Sequence, residues 1–114
     1  MEISLVVFGA VHPQSVTMMN NYATLCLKAK QFDEAALYFE KAASKALYVP
    51  QFSDALPGFY CNLAEALFHA GQYDKSLAMA EKALTLSKTS KNQLIVKKTR
   101  EFVQALQYDV NRKR

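Results

Sequence analysis

The chain says nearly the same thing twice. Residues 31–35 read QFDEA and residues 72–76 read QYDKS, an offset of 41 residues. The match spreads outward from these stretches without a gap. Asn21 pairs with Asn62, Ala23 with Ala64, Phe32 with Tyr73, Asp33 with Asp74 and Ala35 with Ser76. Glu40-Lys41-Ala42 pairs with Glu81-Lys82-Ala83. Self-similarity at a period of about 20–50 residues marks a stacked array, in which each unit buries its apolar face on a neighbour because it cannot bury it alone. A chain of 114 residues is about one domain, so such an array has room for two units and little more.

Periodicity identifies the unit as a pair of helices. Met19, Tyr22, Ala23, Cys26 and Leu27 fall on one helical face, and Tyr60, Leu63, Ala64, Leu67 and Phe68 repeat the pattern. Leu77, Ala80, Ala83 and Leu84 make the next apolar stripe. Pro13 suits a helix's first turn, where its missing N–H costs nothing. Gly71 suits a helix end that needs a left-handed residue. Lys30 holds the matching place in the first unit, so its φ is expected to be positive and the turn strained. Only three glycines and three prolines occur, too few for the turns of a sandwich or barrel. The fold class expected is all-α, a helix-turn-helix solenoid.

Small residues set the distance between the paired helices. Ala23, Ala35 and Ala42 recur at the same spacing as Ala64, Ser76 and Ala83. On antiparallel helices, small side chains at a crossing let the axes approach. Phe32 and Tyr73 follow each turn and are expected to plug the space beside it. Asp33, Glu34 and Asp74 then sit in a first turn, where the helix dipole favours acids.

With these features assembled, the chain resembles the tetratricopeptide repeat family, which repeats every ~34 residues. The longer period here, with its extra residues around Tyr48–Asp54, resembles the kinesin-light-chain subtype. So does His12-Pro13 followed by Asn20-Asn21-Tyr22-Ala23, against that subtype's "HP…NNLA" signature. Residues 13–49 then form the first unit and 54–88 the second. Residues 91–110 form a capping helix with Ile95, Thr99, Phe102, Leu106 and Val110 on one face, opened by a capping box of Ser90 and Gln93. Residues 1–9 are the truncated tail of a preceding unit's helix. Two units and a cap are marginal, so either upstream repeats in a longer parent or self-association through residues 1–10 is expected.

The resemblance also implies a function. In that family, asparagines on the first helix of each unit line a concave groove and hydrogen-bond the backbone of an extended peptide. Asn21 and Asn62 occupy that place, flanked by Asn20, Thr24, Lys28, Cys61, Glu65 and His69. An Asn inside a helix competes for backbone hydrogen bonds, so two at equivalent positions call for a reason. The bland alternative is that each ties its helix to a loop or faces solvent. One subtype clamps a C-terminal carboxylate with lysines on this face; Asn20 and Thr24 stand where its first Lys and Asn would be, which argues against a chaperone-tail receptor. The stretches HPQSVTMMNNYATLCLKAKQFDEAALYFEKA and NLAEALFHAGQYDKS also resemble a mitochondrial branch of the family. That resemblance implies a scaffold for assembly or maintenance of respiratory complex III, with complex III subunits as partners, on the matrix side of the inner membrane for the full-length parent. The alternative is a cytoplasmic cargo or signalling adaptor of the kinesin-light-chain type.

Other functions lack residues to carry them. No Ser/His/Asp set, glycine-rich phosphate loop or metal-ligand spacing occurs, so neither an enzyme nor a cofactor is expected. Cys26 and Cys61 make no disulfide framework and belong in the core. Charge is uneven: residues 1–87 sum to −2 and residues 88–114 to +6. Lys97, Lys98, Arg100, Arg112, Lys113 and Arg114 form this basic end. No aromatic interleaving supports specific nucleic-acid readout; a solubilising tail, or weak contact with an anionic surface, is the expectation. The N-terminus lacks the Arg-rich, acid-poor character of a presequence, with Glu2 acidic and no Arg before Arg100.

Overall fold

A computed structural model describes residues 13–113, and within them every regular element is helical. The elements are α1 (Pro13–Lys28), α2 (Phe32–Ala46), a 3₁₀ turn (Pro50–Phe52), α3 (Leu56–His69), α4 (Tyr73–Ser87) and α5 (Gln93–Lys113). α1 packs on α2, α2 on α3 and α3 on α4, while α5 lies against both α4 and α3. The result is the all-α helical repeat that the 41-residue offset predicts. The tail helix over residues 1–9, self-association through residues 1–10, His12 and Arg114 lie outside the described residues.

The two helix turns are built alike. Lys30 N–H donates to Leu27 O and Gln31 N–H to Cys26 O; Gly71 N–H donates to Phe68 O and Gln72 N–H to Leu67 O. This satisfies carbonyls left over at each helix end. The closure needs a left-handed residue, and Lys30 (φ 64°) and Gly71 (φ 85°) supply it. Gln31 and Gln72 then share one backbone conformation, φ/ψ of −94°/74° and −93°/72°. Neither α2 nor α4 has a side-chain cap; Asp33, Glu34 and Asp74 in their first turns offset the exposed N–H groups through the dipole.

At the crossings, Ala23, Ala35, Ala42, Ala64, Ser76 and Ala83 are fully buried. A buried serine at an alanine position needs a hydrogen bond, and Ser76 Oγ donates one of 2.6 Å to Ala64 O across the crossing. The aromatics beside the turns link neighbours. Phe32 stacks on His69 at 4.9 Å, joining unit one to unit two, and Tyr73 packs on Phe68 at 5.5 Å. Two apolar clusters result: one joins α1, α2 and α3, and the other joins α3, α4 and α5 through Ala64, Ala80, Val103, Leu106 and Val110.

The residues that lengthen the repeat are wound and pinned. Val49 is buried, the 3₁₀ turn is closed by Phe52 N–H to Val49 O and Ser53 N–H to Pro50 O, and Phe52 packs against Phe59 at 5.7 Å.

The last helix departs from the sequence expectation in three ways. It runs to Lys113, three residues past the expected end. Its buried face is Thr99, Val103, Leu106 and Val110, with Ile95 and Phe102 only half-buried; Val103 takes the centre of the stripe and Phe102 its edge, where it lines a cleft. Its cap is Asn92, whose Oδ1 accepts the Leu94 N–H at 3.0 Å. Ser90 stands one step earlier: its Oγ accepts the Asn92 N–H at 3.1 Å and donates to Asp54 Oδ1 at 3.3 Å. The Ser90–Gln93 capping box therefore does not form.

Candidate protein-binding cleft

This relay from Asp54 through Ser90 to Asn92 fixes where α5 starts relative to α3. Between the two helices lies an open cleft of about 460 Å³, lined on one side by Asp54, Ala55, Gly58, Phe59, Cys61 and Asn62 and on the other by Ile95, Lys98, Thr99 and Phe102. Phe59, Ala55, Ile95 and Phe102 make its lining largely apolar. Gly58 widens it: a Cβ built there would meet no heavy atom within 4 Å. Asp54 and Lys98 place one charge of each sign at the walls, and Asn62 offers an amide with both donor and acceptor.

The structure distributes the eight residues expected to form a groove as follows. Asn62 and Cys61 line the cleft. Glu65 is half-buried one turn on, its Oε2 3.9 Å from Nε2 of the exposed His69. His69 also stacks on Phe32 and meets Phe68 edge-on, so its ring is committed to the junction between units. On α1, Asn21 and Lys28 are exposed. Thr24 Oγ1 donates to Asn20 O one turn back, at 2.9 Å. Asn20 is half-buried, and its Oδ1 is buried without a hydrogen-bond partner. Asn20 is the 41-residue equivalent of Cys61, so the repeat places that unmatched acceptor where unit two has its cleft-lining thiol.

Cys26 is buried and Cys61 half-buried, both as free thiols. Burial, and then the Glu65 carboxylate, push the Cys61 thiol up to about 11, which keeps it protonated and a poor nucleophile at neutral pH. Among the described residues no group of three or more His, Cys, Asp or Glu is placed to hold a metal ion.

Reading the sequence for the groove missed Ile95, Lys98, Thr99 and Phe102. They come from the closing helix, which carries no copy of the repeat motif. The available signal was the amphipathic pattern of residues 92–110, which places Ile95 and Phe102 at the edge of its buried stripe.

Two tetratricopeptide repeat models match the sequence, one over residues 16–44 and the other over residues 57–90, together more than half of the chain. The chain belongs to the tetratricopeptide repeat family. Tetratricopeptide repeats generally bind peptide or protein partners. The chain is also similar to tetratricopeptide repeat protein 19, mitochondrial, of Homo sapiens, with 30% identity over 103 residues, covering 89% of this chain and 26% of the human protein. The proteins of the same name from Mus musculus and Rattus norvegicus are each 27% identical over 95 residues, 82% of this chain and 25% of their own length. The chain thus spans about a quarter of the length of these relatives. Among its described residues no helix is long and apolar enough to cross a membrane.

Proposed function

We propose that the chain is a non-catalytic scaffold that holds a segment of a protein partner against the first-helix face of its repeats, with the α3–α5 cleft as the principal seat. The observation that carries this reading is the open, largely apolar cleft with Asn62 in its wall. An apolar side chain of the partner fills the space beside Gly58, and the Asn62 amide pairs with the partner's backbone. Asn20, Asn21, Thr24, Lys28, Glu65 and His69 extend the face.

In its sharper form the partner is respiratory complex III, on the matrix side of the mitochondrial inner membrane, and the role is assembly or maintenance of that complex. The similarity to the mitochondrial relatives supports this form. The experiment is capture of isolated complex III subunits by the full chain, compared with Gly58→Leu and Asn62→Ala. Gly58→Leu should fold normally, because Leu favours the helix more than Gly and the new side chain enters open space. Capture should fall at least tenfold with Gly58→Leu. Equal capture by the parent chain and both variants would remove the cleft from the mechanism.

The family models that match are those of the tetratricopeptide repeat in general and give no support to the kinesin-light-chain subtype; the alternative reading, a cytoplasmic adaptor of that type, rests on the sequence resemblance alone. Subcellular fractionation of the native protein separates the two: enrichment with the inner membrane supports the first, and a cytosolic pool bound to cargo proteins supports the second.

A further inference from the structure

Charge is not shared evenly between the two walls of the cleft. From Lys88 to Arg100 the chain carries Lys88, Lys91, Lys97, Lys98 and Arg100 and no acid. All five are exposed, and none forms an ion pair or ring contact with another described residue. Across the cleft, residues 55–64 carry no charged side chain. Asp54, the one acid among the lining residues, already accepts a hydrogen bond from Ser90. Glu65 lies beyond Cys61, 3.9 Å from His69, and Glu101 is the first acid on α5. Two of the cations stand at the cleft itself. Lys98 lies in its wall, on the same side of α5 as Ile95 and Phe102. Lys91 follows Ser90, whose bond to Asp54 pins that loop to one end of the cleft. One turn before Lys98, Leu94 is 56% exposed and continues the apolar lining toward solvent.

We infer that the segment held in the cleft is acidic: an apolar anchor with a carboxylate close to it in sequence, the anchor beside Gly58 and the carboxylate turned toward Lys98 and Lys91. This rests on the cleft being the binding seat. A cleft walled by one sign of charge concentrates the opposite sign, and complementary charge selects among partners that fill the same apolar space equally well. The α3 wall from Ala55 to Asn62 is about 10 Å of helix, so an extended segment lying along it spans about three to four residues. The carboxylate therefore falls within about four positions of the anchor. A nucleic-acid backbone would meet the cations without filling the apolar floor, and a bilayer surface is too broad to reach it.

Selection of displayed short random peptides on the full chain tests the inference. The enriched peptides should carry Asp or Glu within about four positions of a large apolar residue. Changing those acids to Asn or Gln should weaken binding about tenfold, read by fluorescence anisotropy at physiological salt. Lys98→Glu should weaken the acidic peptides to a similar extent, and selection on that variant should return Lys or Arg in place of the acids. Lys113→Glu changes the net charge equally, but about 22 Å along the helix, well beyond the ~8 Å screening length, so binding should stay as it was. Both lysines are exposed, and the helical circular dichroism of both variants should match the parent. Enrichment of no sequence, or of peptides without acids, overturns the inference. So does an equal effect of Lys98→Glu and Lys113→Glu, or tighter binding of poly(U) RNA or phosphatidylglycerol vesicles than of any selected peptide. Gly58→Leu judges the seat separately: if it abolishes binding of apolar peptides that lack acids, the cleft stands and only its preference for acids falls, whereas binding unchanged by Gly58→Leu removes both.

Discussion

Units one and two share their backbone but not their surroundings. Their turns close with the same hydrogen bonds, the glutamines before α2 and α4 have φ/ψ values within a few degrees of each other, and the small residues at both crossings are fully buried. Yet Leu63 is in the core while its equivalent Tyr22 is half in water. The local code of the motif sets the hairpin, and the neighbours set the burial. In a stacked array this division is general, because each unit touches only the units beside it.

The comparison can be broken most forcefully at the pair where burial differs most. Leu63→Ala should cost about 2–5 kcal/mol of unfolding free energy, the range for emptying a tight core site. Tyr22→Ala should cost about 1 kcal/mol or less, mainly the edge contact with Tyr38. Urea denaturation of both variants checks this; equal losses would mean that the two faces are equally covered. Next, Ala35→Leu should cost about 1–3 kcal/mol by overpacking the first crossing, and a loss in the same range is expected from Ala83→Leu in the second unit.

The turns give a smaller and more pointed test. Gly71→Ala should lower stability by about 1 kcal/mol through backbone strain alone, since the added Cβ meets nothing within 4 Å. Lys30→Gly should gain roughly 0.5 kcal/mol, the relief of strain being partly cancelled by the freer unfolded chain. Opposite signs in thermal melts would show that one turn geometry serves both units. An effect of similar size is expected at the second crossing, where Ser76→Ala should cost about 0.5–1 kcal/mol for the lost bond to Ala64 O. A neutral result there would mean that alanine and serine are interchangeable at this crossing, as the pairing with Ala35 invites one to think.

The helical class, the offset and the turn residues were legible because they follow from local rules: small residues at crossings, a left-handed residue at each turn, acids in each first turn. Lys30 is the clearest case, since its strained φ was foreseeable from its pairing with Gly71 alone. Where α5 starts was not legible, because Ser90 and Asn92 are both good caps and the choice depends on Asp54, far away in sequence. The cleft was half legible. Asn62 and Cys61 come from the repeating part, whereas Lys98 and Phe102 join them only through the packing of a helix outside the repeat. The buried, unmatched oxygen of Asn20 has no sequence signature; Asn21 beside it looked the stronger candidate until exposure separated the two.

The order of packing has a consequence for how the chain comes apart. α3 is gripped by α2, α4 and α5, whereas α1 leans mainly on α2. Opening should therefore begin at α1 and travel inward, with amide protons near Leu63 and Ala64 the last to exchange. The molecule works as a strip riveted at its middle, and the cleft sits beside the rivet, where a captured segment meets the stiffest part of the chain.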